Sequence, residues 1–309
     1  MQDKVNYVRV ILTDQCNLSC AYCHHEGMHA VTEKPVQRHE LMMLLKSLYK
    51  EGIRKFKLMG GEPTSRKDLP DIIRELSRIG DDNDISIITN GIFDQALMEE
   101  CFNAGLQRVN VSVHAWNDKK AMNMVGMTPK KQRILKDNLT YLCNEGKLSK
   151  INYMYLKNES TEDLFSLIHW TDANLCVIDI LNVLFEEADG GFNDEYASFE
   201  EIEKLVRENY DIQREYINEN IYSLPSKRLV LPGGGEINLK INALNRKAPF
   251  NSCTDCKVKE RCTEGIKAIR LTQEGHIQPC LFRHDNVLSF NEIKESDRDD
   301  VIRQYISAL

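Results

Sequence analysis

Strand-like apolar segments alternate with helix-period segments along most of this chain, and that alternation limits its fold more than any other feature. Tyr7–Thr13, Arg54–Met59, Ile85–Thr89, Arg108–Val113, Ile151–Leu156 and Val177–Leu184 have strand composition. Between them, Leu41, Leu44, Leu45 and Leu48 share one helical face before Gly52. Leu69, Ile72, Ile73, Leu76 and Ile79 share another, which ends at Gly80 as a helix stop should. Ala96–Ala104, Gln132–Cys143 and Thr161–Thr171 continue the series. Six strands alternating with the five helices between them predict parallel βα units and an α/β fold: a partial (β/α)6 TIM-like barrel. Ligand chemistry on such a sheet sits at the carboxyl ends of the strands. Cys16, Gly60, Asn90 and His114 each fall just after a predicted strand and would line that rim.

The pattern changes after about residue 215. Pro225, then Pro232-Gly233-Gly234-Gly235, marks a loop or hairpin region, and Glu236–Ile241 and Ile266–Thr272 read as short strands. Gln273-Glu274-Gly275-His276 has the composition of a hairpin turn leading into Ile277–Cys280. The division expected is a barrel over residues 1–215 and a small C-terminal iron–sulfur annex over 216–309.

The cysteines say what the rim is for. Met1–Tyr7 does not open a signal peptide, and the apolar runs are too short to cross a bilayer, so a cytoplasmic chain with reduced thiols and no membrane contact is expected. Lys plus Arg is 40 against 47 for Asp plus Glu, a net charge of −7, which argues against DNA as a partner. Of ten cysteines, Cys16, Cys20 and Cys23 lie on one loop, and Cys253, Cys256, Cys262 and Cys280 lie in the annex. Cys101, Cys143 and Cys176 are isolated in the sequence and read as core packing. Three close-set thiolates suit a cubane cluster with one iron left open, whereas four would close it. A zinc site completed by His24 or His25 is the alternative for the trio, and a tetrahedral zinc for the quartet. Met59-Gly60-Gly61-Glu62-Pro63, after the second strand, adds a loop whose glycines let backbone approach a ligand closely.

Cys16-x3-Cys20-x2-Cys23 with Tyr22, followed by Gly60-Gly61-Glu62-Pro63, resembles the radical S-adenosylmethionine (SAM) superfamily. The resemblance implies a [4Fe–4S] cluster on Cys16, Cys20 and Cys23 whose open iron binds SAM. One electron would cleave SAM to a 5′-deoxyadenosyl radical that abstracts hydrogen from a substrate. It also implies oxygen sensitivity and a reductant of flavodoxin or ferredoxin type. Gly60, Gly61 and Glu62 would face the methionine amino group, Tyr22 the adenine, and Thr89, Asn90 and Ser112 the nucleoside. Lys150 would reach the carboxylate.

Within the superfamily the pattern is closest to the GTP 3′,8-cyclases, through Gly60–Leu69, Arg108–Ser112, Lys150–Asn152 and Ile269–Phe282. Arg66 and Arg270 fall on arginine positions that serve the triphosphate there. The four late cysteines, Ala268 in place of an arginine, and a chain ending Ser307-Ala308-Leu309 depart from that pattern. The four cysteines resemble instead the ligands of the closed auxiliary [4Fe–4S] cluster of twitch and SPASM relatives. On that basis a ribosomal peptide undergoing cross-linking, thioether formation or epimerisation is the expected substrate. Radical cyclisation or rearrangement of a nucleotide or other small metabolite is the alternative, and a non-catalytic iron–sulfur or zinc protein is the reading from another class.

Overall fold

A computed structural model describes residues 5–23, 35–158, 160–182, 193–219, 225–241, 268–281 and 286–309. The first part of the chain runs β1 (Tyr7–Ile11), α1 (Arg38–Lys50), β2 (Lys55–Met59), a 3-10 turn (Pro63–Ser65), α2 (Leu69–Ser77), β3 (Asp84–Thr89) and α3 (Gln95–Ala104). It continues with β4 (Arg108–Ser112), α4 (Asp118–Val125), α5 (Pro129–Asn144), β5 (Leu148–Tyr155), α6 (Glu162–Ala173) and β6 (Val177–Asn182). All six strands of the expected series and the five helices between them are present. The sequence periodicity did not single out α4, nor α7 (Phe199–Asn209), β7 (Arg214–Asn218) and β8 (Ser226–Val230). The chain then forms β9 (Glu236–Lys240), β10 (Ala268–Leu271), β11 (His276–Gln278), β12 (Leu288–Ser289) and α8 (Arg298–Ala308).

Two compact units divide the chain, one made of Met1–Val109 with Lys267–Leu309, the other of Asn110–Ile266. This differs from the expected boundary near 215. The reason is strand pairing: the annex strands do not stand apart. In the first unit β10 pairs in parallel with β1, Tyr7 opposite Ala268 and Arg9 opposite Arg270, giving the order β12-β11-β10-β1-β2-β3. In the second, β9 pairs in parallel with β6, Val177 opposite Glu236, in the order β4-β5-β6-β9-β8-β7.

The core of the first unit follows from strand alternation. Val8, Val10, Phe56, Leu58, Ile85 and Ile87 share the sheet face that is fully buried, as are Leu44, Leu45 and Leu48 of α1 and Ile72, Ile73 and Leu76 of α2. Helix ends are fixed locally. Asp94 accepts from the Ala96 amide at the start of α3, at 2.9 Å, and Gly105 closes that helix at φ +117°, where a Cβ would lie 2.8 Å from the Ser77 Cβ. In the second unit, the glycine-rich segment is the turn between β8 and β9. The Asp172 carboxylate of α6 accepts from the amides of Gly233 (3.1 Å) and Gly235 (2.9 Å), and a side chain on Gly235 would collide with the Asp172 Cα. The expected hairpin at Gln273–His276 also forms, with the Thr272 amide donating to the His276 carbonyl at 2.8 Å and Gly275 at φ +86°. Among the described residues, no helix is long and apolar enough to cross a membrane.

Because Leu58 is completely buried at the centre of β2, Leu58→Ala should lower stability by about 2–5 kcal/mol, read from the urea midpoint of the metal-free protein.

Candidate active site

The trio of cysteines sits on the loop that leaves β1, inside the first unit. Cys16 and Cys23 are exposed and Cys20 is half-buried. The loop is shaped by its own backbone: the Cys23 amide donates to the Cys20 carbonyl at 3.1 Å, and the Leu18 amide to Cys16 Sγ at 3.4 Å. At its root the Gln15 amide donates to Thr13 Oγ1 (3.1 Å), and the Asp14 amide to Gln273 Oε1 (3.0 Å) in the β10–β11 turn. Burial first, then the neighbouring Cys23 and Cys16, pushes the Cys20 thiol up to about 12. Three thiolates on one loop repel one another and coexist only against a strongly positive centre. Among the described residues, no group of three His, Cys, Asp or Glu side chains is set to hold a metal ion. A cubane presents its irons at separate corners, so three thiolates that ligate it do not converge on a point. The donor set, all sulfur and all on one turn, therefore fits an iron–sulfur cluster.

The glycine loop is pressed against this turn. The Gly61 amide donates to the Thr13 carbonyl (2.6 Å) and the Glu62 amide to the Gln15 carbonyl (2.7 Å). A Cβ on Gly60 would lie 2.4 Å from the Thr13 carbonyl oxygen, and one on Gly61 2.3 Å from that of Gln15. Any side chain at either position would push the two loops apart.

Glu62 is fully buried, and its carboxylate is a hub. Oε1 accepts from the Thr64 amide (3.0 Å), the Thr64 hydroxyl (2.6 Å) and the Thr89 hydroxyl (2.8 Å), and Oε2 accepts from the Asn90 amide (2.8 Å). Burial raises its pKa, a shift that the donors from Asn90, Thr64 and Thr89 oppose. From the loop held in this way, Asn90 Nδ2 donates to Asn17 Oδ1 at 2.6 Å and lies 3.8 Å from Cys16 Sγ. Asn17 Nδ2 in turn donates to the Ile92 carbonyl at 3.1 Å. The loops after β1, β2 and β3 thus form one hydrogen-bonded assembly, as the sequence expectation for Cys16, Gly60 and Asn90 required. Sequence reasoning did not pick out Asn17 or Gln273; their only signal is position, inside the cysteine loop and inside the annex turn.

Arg66, expected to serve substrate, is held here by contacts within the fold. Its Nε and Nη2 both donate to the Asp68 carboxylate, at 2.9 and 2.8 Å, and its Nη1 donates to the Leu12 carbonyl at 2.9 Å. In this arrangement it braces the end of β1. Arg270 is fully buried in β10, in register with Arg9, which is itself in register with Lys57 of β2. By alternation Tyr7, Arg9, Lys55, Lys57 and Arg270 share the sheet face opposite the apolar core. The Lys55 and Lys57 ammonium groups stand 5.2 and 5.7 Å from the Tyr7 ring centroid. Burial, and then Lys57, bring the Lys55 pKa down to about 8. Arg9, Lys55 and Lys57 were not among the expected site residues, because in sequence they look like the polar half of an ordinary half-buried strand.

Tyr22 is half-buried on the cysteine loop. In the second unit Ser112 ends β4, and Lys150 Nζ donates to Asp179 in an ion pair. Burial alone would raise the Asp179 carboxyl, but Lys150, Arg228 and Asn238 together hold it below the ordinary carboxylate range. His114 accepts the Met154 amide at 3.2 Å through Nδ1, and Trp116 packs on Trp170 with centroids 5.8 Å apart. Cys280 is half-buried after β11; Cys253, Cys256 and Cys262 lie outside the described residues, as do His24, His25, Glu186, Glu187 and Asp189.

A parallel βα series with a three-cysteine loop and a glycine loop at the strand ends defines a class of iron–sulfur enzymes, and comparison with known proteins agrees. The model of the radical SAM superfamily matches residues 10–171. This chain belongs to that superfamily, and with it come a [4Fe–4S] cluster and SAM as cofactors. It is 27% identical to a probable GTP 3′,8-cyclase of Thermoplasma volcanium, over 97% of this chain and 87% of the relative. It is 30% identical to a probable GTP 3′,8-cyclase of Methanocaldococcus jannaschii, over 93% of this chain and 90% of the relative. Among solved structures, SuiB of Streptococcus suis bound to S-adenosylmethionine matches with a TM-score of 0.62 at 14% identity. That match covers 96% of this chain but only 63% of SuiB, and at such identity it concerns the fold alone.

Glu62→Ala strips the partners from the buried donors of Thr64, Thr89 and Asn90 and should cost about 3–5 kcal/mol in urea denaturation of the metal-free protein. Glu62→Gln, which keeps an acceptor at Oε1, should cost less.

Proposed function

We propose that this radical SAM enzyme acts on a nucleotide, by a radical cyclisation or rearrangement of a purine nucleoside triphosphate like that named in its relatives, the GTP 3′,8-cyclases. The carrying observation is the cationic sheet face of Arg9, Lys55, Lys57 and Arg270 in the same unit as the cysteine loop. Arg270 is buried and Arg9, Lys55 and Lys57 are half-buried, and a polyphosphate is the ligand chemistry that such a row of cations suits. The ribosomal peptide expected from the late cysteines gives way to this reading. Its structural counterpart, SuiB bound to the precursor peptide SuiA, is only 16% identical to this chain.

When bound, the cluster and SAM supply a one-electron cleavage that yields the radical abstracting hydrogen from substrate. This chain's residues do the rest. Cys16, Cys20 and Cys23 hold the cluster, and the side-chain-free backbone of Gly60 and Gly61 admits the methionine end of SAM. Thr89 and Asn90, held by Glu62, border the nucleoside, with Tyr22 beside the adenine. The cations of β1, β2 and β10 orient the phosphates, with Arg66 bracing the strand end beside them. The electron comes from an external reductant of flavodoxin or ferredoxin type. Cys253, Cys256, Cys262 and Cys280 are assigned to an auxiliary [4Fe–4S] cluster, closed by four thiolates.

With SAM and dithionite under anaerobic conditions, the reconstituted enzyme should form 5′-deoxyadenosine faster when GTP or another purine triphosphate is added, and Cys20→Ala should abolish the product. Stimulation by no nucleotide would sink the nucleotide reading.

The Lys55 pKa of about 8 adds a pH dependence. A bound polyphosphate favours the charged amine and raises that pKa, so above about pH 8 binding must take up a proton. Nucleotide affinity measured by calorimetry should therefore weaken as pH rises from 8, by up to about tenfold per pH unit. Lys55→Arg, which stays charged, should flatten this slope.

A further inference from the structure

Two cysteines that read as separate packing residues in the sequence meet in the second unit. Cys143 ends α5 and Cys176 precedes β6, and their sulfurs lie 3.0 Å apart although the residues are 33 positions apart in the chain. That is closer than an ordinary van der Waals contact between sulfurs and about 1 Å from a disulfide bond length. Both side chains are half-buried rather than sealed in the core, unlike Cys101, which is fully buried on α3. The local backbone is bent to make the meeting. After α6 the Cys176 amide donates back to the Thr171 carbonyl at 3.0 Å, and the intervening Leu175 takes φ +54°, with 71% of its surface exposed. A left-handed turn normally filled by glycine is here made by leucine, which is strained in that conformation.

We propose that Cys143 and Cys176 form a redox-active thiol pair that closes reversibly into a disulfide, clipping the end of α5 to the start of β6, with a low-molecular-weight disulfide as oxidant. In the first step the Cys143 thiolate attacks one sulfur of the oxidant, forming a mixed disulfide and expelling a thiolate. Cys176 then attacks the Cys143 sulfur, forming the intramolecular bond and expelling the second thiolate. The two cysteine protons pass to the two expelled thiolates. Two cysteine thiols are oxidised and one small disulfide is reduced to two thiols. The assignment of Cys143 as the attacking group follows from the contact: the neighbouring Cys176 sulfur holds the Cys143 thiol below the ordinary range against burial, while Cys143 and then burial raise Cys176. Its second contact, from Cys176 Sγ to the Asn174 carbonyl at 3.2 Å, keeps the resolving thiol beside its partner.

The test treats the anaerobically reconstituted holoenzyme with oxidised glutathione, alkylates the remaining thiols, and maps peptides. The expected product is a crosslinked peptide pair containing Cys143 and Cys176, released by dithiothreitol. Cys176→Ser should instead trap glutathione on Cys143, and Cys176→Ala serves the same purpose if the serine variant unfolds. The oxidised wild type should melt higher than the reduced form by on the order of 10 °C, a shift the Cys143→Ser/Cys176→Ser double variant should lack. Glutathione remaining bound to either cysteine of the wild type, or both thiols alkylating as fully after treatment as before, would overturn the proposal.

Discussion

The carboxylate of Glu62 is the contact on which the catalytic loops depend. It is fully buried and meets four donors from two segments, the 3-10 turn after the glycine loop and the loop leaving β3. A carboxyl group buried without partners would carry a penalty of several kcal/mol, so the donors and the acid hold one another in place. The consequences spread outward from there. Fixing the Asn90 amide places the Asn90 side chain against Asn17 of the cysteine loop. Fixing Glu62 also fixes its own amide on Gln15 and presses Gly60 and Gly61 onto Thr13–Gln15.

Around this hub, the first unit gathers like charges in two places. Cys16, Cys20 and Cys23 bring three acidic thiols to one turn, and burial and mutual repulsion push Cys20 up to about 12. Arg9, Lys55, Lys57 and Arg270 bring cations to one sheet face, where burial first, and then Lys57, bring Lys55 down to about 8. Each grouping sets like charges close together, which is unfavourable by itself. Functional sites store such tension because the stability of the surrounding core can carry it. Arg66 shows the contrast. Its donors are met by the Asp68 carboxylate and the Leu12 carbonyl.

Much of the architecture was legible because it rests on local rules. Period-2 and period-3.6 patterns located the six barrel strands and the helices between them, and Gly275 and the Gly233–Gly235 run marked real turns. The cysteine trio and glycine loop were legible for a different reason: cluster and cofactor chemistry demand those residue types at close spacing. What was missed depends on alignment between distant strands. Arg9 looks like a polar position on a half-exposed strand until β10 lays Arg270 beside it and β2 lays Lys57 on the other side. The annex looked like a separate domain because its hairpins are sequence-local, yet β9 and β10 are added in parallel to β6 and β1.

The sequence by itself determined the reaction class, since three thiols on one turn and a glycine loop after the next strand are both covalent facts of the chain. It determined the βα series too, through hydrophobic periodicity. Tertiary structure decided which side chains meet: it paired Arg66 with Asp68, assembled the cations of three strands, and brought Cys143 to Cys176. Those outcomes are set by strand register and by the turn at Leu175, and both are long-range packing results that no local pattern of residues encodes.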